Sequence, residues 1–137
     1  MTFANKFFQY RILSQIEEGG VMPEELARTR PLFYSIYNLH AMFLVANLAK
    51  KVDIDVWKTD NGDSRLRDAL DNLVPYIDPE KNWTNPTIGI TDRLEVFPLL
   101  QMADREYPDV NYLKLSEKFP LEKREILRIN LAFPLMR

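Results

Sequence analysis

The absence of cysteine is the first informative property of this 137-residue chain. Without cysteine there is no disulfide, no thiolate metal site and no cysteine nucleophile. The only histidine, His40, excludes a metal site built from several histidines. The four glycines form no phosphate-binding pattern. From these absences we expect neither a metal site nor a cofactor.

Charge and hydrophobicity argue against two further classes of partner. The 18 basic and 20 acidic side chains give a net charge of −2 without a basic tract, so we do not expect nucleic acid as a partner. The longest apolar run, Ala41 to Ala46, is far shorter than the roughly 20 residues that span a bilayer. The N-terminus has no secretory signal pattern, and we expect no membrane partner.

The hydrophobic content, 46%, and the aromatic content, 12%, can fill a core, and the periodicity is that of helices. We therefore predict a single all-α domain over residues 1–137, with about five helices joined by proline-bearing loops. Stacked helical hairpins or a helical toroid suit this pattern better than a compact four-helix bundle. The first helical segment is expected to run through Ile16, with a stop at Gly19-Gly20, and the second from Pro31 to about Lys51. The third is expected from Asp63 or Ser64 to Ile77, and the fourth from Thr91 or Asp92 through Tyr107, with a bend at Pro98. A short fifth segment is expected to begin at Pro108-Asp109.

The remaining segments are expected to connect these helices. We predict loops over residues 21–30 and 78–90, and a turn at Asp60-Asn61-Gly62. A brief strand is an option for Val52 to Trp57. Residues 121–128 are expected to add a last helical turn before an apolar tail over residues 129–136.

The helix that begins at Pro31 carries two neighbouring apolar stripes, so we expect it to be buried between other helices. The stripes are Leu32, Ile36, Leu39 and Phe43, and beside them Phe33, Tyr37, His40 and Leu44.

Residues that could carry chemistry are concentrated around the start of this helix. Arg28 and Arg30 lie just ahead of it, and Tyr34 and Asn38, four residues apart, share one of its faces. One interpretation is that arginine, tyrosine and asparagine converge at the mouth of a cleft. The other is that the arginines pair with Glu24 and Glu25, while the tyrosines are core aromatics with a polar tip.

This block resembles the alginate-lyase-like family of polysaccharide lyases. The matching residues are Glu25-Leu26-Ala27-Arg28-Thr29-Arg30-Pro31, followed by Tyr34-Ser35 and Asn38-Leu39. Further matches follow in the family's order, so that the resemblance extends from about residue 12 to residue 107. They are Val52 to Trp57, Asn61 to Leu66, Leu70 to Tyr76, and Lys81-Asn82-Trp83 with Ile88.

The resemblance implies an (α/α) toroid, of which this chain would form the C-terminal part, and β-elimination on a uronate polysaccharide such as alginate. That reaction needs a base, an acid and a group that neutralises the substrate carboxylate. By match to the family, Tyr34 is the catalytic tyrosine and Arg28 the cation that favours its ionised form. Arg30, Tyr37 and Asn38 are candidates for substrate binding because they lie nearby. The family also implies a periplasmic or secreted protein, although this chain shows no signal peptide.

One departure from the family bears on activity. The Asn-His pair that neutralises the carboxylate lies N-terminal to the matching region, and the only histidine here, His40, falls inside the buried helix. We interpret His40 as a core residue and expect a truncated lyase domain that is inactive or weakly active alone. The uncovered faces of a partial toroid would favour a homo-oligomer or a complementing N-terminal half.

Two other functions stay open at this stage. A non-catalytic carbohydrate-binding module would use an exposed Trp57 or Trp83 to stack on sugar rings, unless both tryptophans are buried anchors. A helical protein-interaction module would carry the family motif by coincidence.

Overall fold

Six α-helices, several 3₁₀ turns and connecting loops form the part of the chain that the structure describes. The structure is a computed structural model, and it describes residues 3–58, 64–78, 80–89 and 91–119. No strand occurs in these ranges, so the all-α prediction is confirmed and the strand suggested for Val52 to Trp57 is wrong. The helices are α1 (Phe3–Phe7), α2 (Pro23–Leu26), α3 (Pro31–Lys50), α4 (Arg65–Leu73), α5 (Phe97–Glu106) and α6 (Tyr112–Leu115).

The first helical segment is less regular than its periodicity suggests. α1 continues into a π-helical turn, Phe8–Ile12, and a 3₁₀ turn, Leu13–Gln15. The segment lies antiparallel to α3, because the Gln15 side chain meets Asn38 near the start of α3, whereas Phe3 lies beside Val52 just beyond its end. The two segments thus form a helical hairpin, the unit from which stacked helical architectures are built.

The segment ends at Gln15, because Ile16 and Glu17 are extended, and not at Gly19 and Gly20 as predicted. The two glycines lie in a separate 3₁₀ turn, Glu18–Gly20, where both adopt positive φ angles, 78° and 83°. The following stretch, predicted as a loop, contains α2, which is a correction. Pro23 occupies the first turn of α2, where a missing N–H costs nothing, and Glu24 and Glu25 suit the positive end of the helix dipole.

α3 is the central helix, and its predicted bounds are confirmed to within one residue. One face is buried by eight residues, among them Leu32, Ile36, Leu39 and Phe43. The second predicted stripe is not buried, since Tyr37 and Leu44 are exposed. By length and composition α3 could cross a membrane, but a core helix has the same properties, and its buried face packs against α4 and α5.

The later helices begin at residues whose side chains accept backbone N–H groups. Ser64 caps α4, Asp92 caps the 3₁₀ turn Arg93–Val96 before α5, and Asn111 caps α6. Pro98 lies in the first turn of α5, directly after the 3₁₀ turn Arg93–Val96, so the helical geometry changes from 3₁₀ to α beside it. The fifth predicted helix begins at Tyr112 rather than Pro108.

Three predicted features lie outside the described residues. They are the turn at Asp60-Asn61-Gly62, the last helical turn over residues 121–128 and the apolar tail over residues 129–136.

A tyrosine network holds the core together where α4, α5 and the 51–58 connector meet. The Tyr107 hydroxyl donates to the Trp57 carbonyl at 2.9 Å and is 2.5 Å from the Ser64 hydroxyl, which therefore acts as donor. Ser64 Oγ in turn accepts the Arg67 N–H. Because the two hydroxyls and the Trp57 carbonyl are buried and paired with one another, they hold the connector against α4 and α5.

Candidate functional site

The candidate site lies at the N-terminal end of α3, where two loops meet. Arg30 precedes the helix, and its carbonyl accepts the Tyr34 N–H at 3.0 Å. The Thr29 carbonyl accepts the Ile88 N–H at 2.9 Å, which fastens the loop over residues 80–89 to the loop that follows α2. The first two turns of α3 and these two loops together form the site.

Arg28 and Tyr34, the two residues that the family resemblance singles out, are in direct contact. The Arg28 guanidinium carbon lies 3.5 Å from the centroid of the Tyr34 ring, a cation–π arrangement. Half of the Arg28 side chain is exposed (50%), and Tyr34 is half-buried. The pair therefore stands at the protein surface, where a ligand could reach both groups.

Glu25 holds the other side of Arg28. Its carboxylate oxygen Oε2 lies 3.5 Å from Arg28 Nη1, and only 12% of its side chain is exposed. The two interpretations of the sequence thus describe the same arrangement, because Arg28 pairs with Glu25 and stacks on Tyr34 at once. The ion pair of Arg28 with Glu25 is one that the sequence suggested, and the spacing of three residues is the signal for it.

A second cation–aromatic pair stands next to the first. The Arg30 guanidinium carbon lies 4.4 Å above the Phe33 ring. Phe33 meets Tyr34 edge-on at 5.2 Å and stacks on Tyr37 at 6.1 Å with an interplanar angle of 20°. Phe33 therefore links the two halves of the site, a role that its place in an apolar stripe did not reveal.

Tyr37 and Asn38 extend the site along α3. Tyr37 is 67% exposed, so its ring is available to a ligand. Asn38 Nδ2 donates to Gln15 Oε1 at 3.2 Å, which ties the first helical segment to this region. Gln15 was not predicted, because the contact joins residues 23 positions apart in the sequence.

His40 stands apart from this cluster. It follows Tyr34 by six residues, which places the two side chains about 120° apart around the helix axis. His40 is half-buried, and its Nε2 atom is buried with no hydrogen-bond partner among the described residues. Burial lowers the pKa of His40 below its usual 6.5, although the nearby Glu95 carboxylate opposes this effect.

The lowered pKa of His40 predicts a loss of stability in mild acid. Below pH 6.5 the unfolded chain takes up the proton before the folded protein does, so stability falls until the pH passes the folded-state pKa. Between about pH 7.5 and about pH 5.5 we expect the melting temperature of the wild type to fall further than that of His40→Gln. Equal decreases in the two proteins would contradict this prediction.

Two other tyrosines serve the core rather than the site. Burial raises the pKa of Tyr107 and of Tyr112, and each phenol donates a hydrogen bond: Tyr107 to the Trp57 carbonyl, and Tyr112 to Asp71 Oδ1 at 2.7 Å. Both phenols are thus held in the neutral, donating form.

The tryptophans do not form an exposed sugar platform. Trp57 is 1% exposed and packs edge-on against Phe43 at 4.8 Å, so the idea that it stacks on a ligand is wrong. Trp83 is half-buried and meets the Tyr76 ring at 4.7 Å. Trp83 belongs to the loop over residues 80–89, whose Ile88 N–H donates a hydrogen bond to the Thr29 carbonyl. Trp83 therefore lies in the segment that closes one side of the site.

Fold and site together define the class of this molecule, an all-α protein that resembles polysaccharide lyases. The alginate lyase family model matches residues 1–83, more than half of the sequence. The chain belongs to the alginate lyase family.

One similar solved structure is an alginate lyase from Bacteroides ovatus. It superimposes with a TM-score of 0.79 at 30% sequence identity over 97% of this chain. The chain covers 36% of that protein, as a partial (α/α) toroid would. Among curated proteins, no sequence matches significantly.

Proposed function

We propose that this chain supplies the tyrosine–arginine part of a site that cleaves uronate polysaccharides by β-elimination. The observation that carries the proposal is the contact between the Arg28 guanidinium and the Tyr34 ring, 3.5 Å from cation to ring centroid. The guanidinium is a fixed positive charge that lies over the face of the phenol ring and holds it at the surface. A half-exposed tyrosine beside such a charge suits an acid or base acting on a bound sugar.

The neighbouring residues suit a uronate ligand. Each uronate carries a carboxylate, for which an arginine guanidinium is a geometrically matched partner, and Arg30 stands beside the catalytic pair. Tyr37 offers an exposed aromatic surface for the apolar face of a sugar ring. Asn38, one turn after Tyr34, adds an amide that can bond to sugar hydroxyls.

One group required by the reaction has no counterpart in this site. The family's neutralising Asn-His pair is not matched, and the only histidine, His40, lies about 120° around α3 from Tyr34. Removing one comparable electrostatic donor costs an enzyme about 10²–10³ in rate. We therefore propose that residues 1–137 bind uronate chains but cleave them weakly or not at all.

The whole catalytic unit would include more than these residues. The chain covers 36% of the solved Bacteroides ovatus alginate lyase, and the neutralising group would come from further helices of such a toroid. By family resemblance, we propose that this unit acts in the periplasm or outside the cell, where polymeric uronates are met.

The test separates binding from cleavage in one preparation. Incubation of the purified chain with alginate should give no rise in the ultraviolet absorbance of unsaturated uronate products. Titration with uronate oligomers should change the fluorescence of Trp83, measured in a Trp57→Phe background so that one tryptophan reports. Strong product formation would refute the proposed loss of activity, and unchanged fluorescence would count against binding at this site.

Removal of one positive charge at the site, with a matched removal elsewhere as the control, tests whether Arg30 binds the uronate. We expect Arg30→Ala to weaken uronate binding about tenfold, since a charge-assisted hydrogen bond contributes about 1.5–3 kcal/mol. Arg11→Ala removes the same charge from an exposed position on the first helical segment and should leave affinity unchanged. If both substitutions weaken binding equally, the interaction is with net charge and not with this site.

A further inference from the structure

Two segments, α1 with its π-helical turn and the C-terminal half of α3, expose large apolar side chains, and five of these residues line one shared groove. Large hydrophobic side chains are 40–85% exposed there. We call this surface the outer face and define it by Phe3, Phe7, Tyr10, Leu44, Val45, Leu48 and Val52.

The outer face is larger than the apolar patches of ordinary monomers. From the exposed fractions, its seven side chains present roughly 700 Å² of apolar surface, given about 150–250 Å² for each aromatic side chain. The largest patch on a typical monomeric protein is about 300–600 Å², and patches of this kind mark interaction sites. The outer face is therefore a surface that another apolar surface should cover.

Its shape combines a ridge with a groove. Phe7 (52% exposed) and Tyr10 (72% exposed) project from the first segment and form the ridge. Beside the ridge, a groove of about 400 Å³ runs between α1 and the end of α3, with Val45, Leu48 and Val56 among its lining residues. A ridge and a groove side by side on one surface are the features of a self-complementary interface with two-fold symmetry.

We propose that the outer face is a dimer interface, in which the ridge of each copy enters the groove of the other. Two copies paired in this way would bury roughly 1,400 Å² of apolar surface, within the range of about 1,200–2,000 Å² found for stable interfaces. The second copy contributes a helical hairpin of the kind that packs next to this one in a toroid. The concave groove suits such a shaped partner better than it suits a flat bilayer surface.

The outer face ends before the candidate active site begins. Its residue nearest to the site on α3, Leu44, lies seven residues after Tyr37, which separates them by about 10 Å along the axis. The proposal thus does not rest on the proposed function, and a failed dimer would leave uronate binding as it is.

Light scattering after size exclusion tests the proposal on the whole chain. At about 50 µM, well above a micromolar dissociation constant, the wild type should have twice the monomer mass of 16.2 kDa. Leu48→Asp buries a charge in the interface and should yield a monomer. Ile88→Asp is the matched control, because both side chains are 62% exposed but Ile88 lies outside the outer face, and it should remain dimeric.

A second measurement does not depend on the aspartate variant. The chain has no cysteine, so Leu48→Cys introduces one thiol. Its reaction with a maleimide should be slow at high protein concentration and faster on dilution, whereas Ile88→Cys should react equally fast at both. A monomeric wild type, a dimeric Leu48→Asp variant or a thiol rate independent of concentration would overturn the proposal. A monomer that sediments with phosphatidylcholine–phosphatidylglycerol vesicles would assign the face to a membrane surface instead.

Discussion

Replacing Gly20 with alanine should remove a large part of the folding stability of this protein. Gly20 is buried against α4, and a Cβ atom there would lie 2.0 Å from the Asp68 carbonyl oxygen and 2.7 Å from the Ala69 nitrogen. Both are backbone atoms of a helix that packs on α3, so neither can move without displacing the core. We expect a loss of at least about 3 kcal/mol, a large part of the roughly 5–15 kcal/mol that stabilises a small domain.

The adjacent glycine provides the control for this clash. Gly19 has a similar φ angle, +78° against +83°, but a Cβ atom at Gly19 would meet nothing within 4 Å. Gly19→Ala should therefore cost only the left-handed backbone strain of about 1–2 kcal/mol. Urea unfolding followed by far-ultraviolet circular dichroism measures both variants. Similar losses in the two would show that backbone conformation, and not the approach to α4, explains the glycines.

Replacing Trp57 with alanine should have the second-largest effect. The Trp57 side chain is 1% exposed and packs edge-on against Phe43 at 4.8 Å and Tyr107 at 6.0 Å. Its removal leaves a cavity at the meeting point of α3, α5 and the 51–58 connector, and a large-to-small change of this kind costs about 3–5 kcal/mol. The midpoint of urea unfolding should shift accordingly.

Two variants separate packing from other contributions of this tryptophan. Trp57→Phe keeps an aromatic ring in the cluster and removes an indole N–H that has no partner among the described residues, so it should cost clearly less than alanine. Trp83→Ala removes the half-buried tryptophan and should lower stability by about 1–2 kcal/mol. A larger loss for Trp83→Ala than for Trp57→Ala would contradict the burial seen here.

Gly20 also helps to explain how the candidate site is held in place. Gly20 lets the turn after the first helical segment approach α4, and Gln15 of that segment bonds to Asn38 in the site. The outer face forms where the same segment runs along α3. Site and outer face therefore both contain residues of the first helical segment and of α3.

Much of the site could be predicted because its parts are close in sequence. Arg28 and Tyr34 are six residues apart, and an arginine just ahead of a helix is well placed to reach an aromatic ring in its first turn. The contacts that were missed join distant residues: Gln15 with Asn38, and Thr29 with Ile88. No local pattern encodes such pairs, since they depend on how the loops close.

What the sequence determined by itself is the longer helices, α3, α4 and α5, and several of their ends. Periodicity, Pro31 at the start of α3, and the capping side chains of Ser64 and Asp92 act through neighbouring residues, so they can be identified from the chain alone. The short α2 and the start of α6 were missed because a single helical turn has too few residues to show a period.

Only the tertiary structure decided which apolar residues became core. The two stripes of α3 look alike in sequence, yet Phe43 is 0% exposed and Leu44 is 40% exposed. α4 and α5 pack on α3 and cover its first stripe, whereas Tyr37 and Leu44 of the second stripe are exposed. Hydrophobicity makes burial favourable, but a side chain is buried only where another element covers it, and the positions of the other elements decide that.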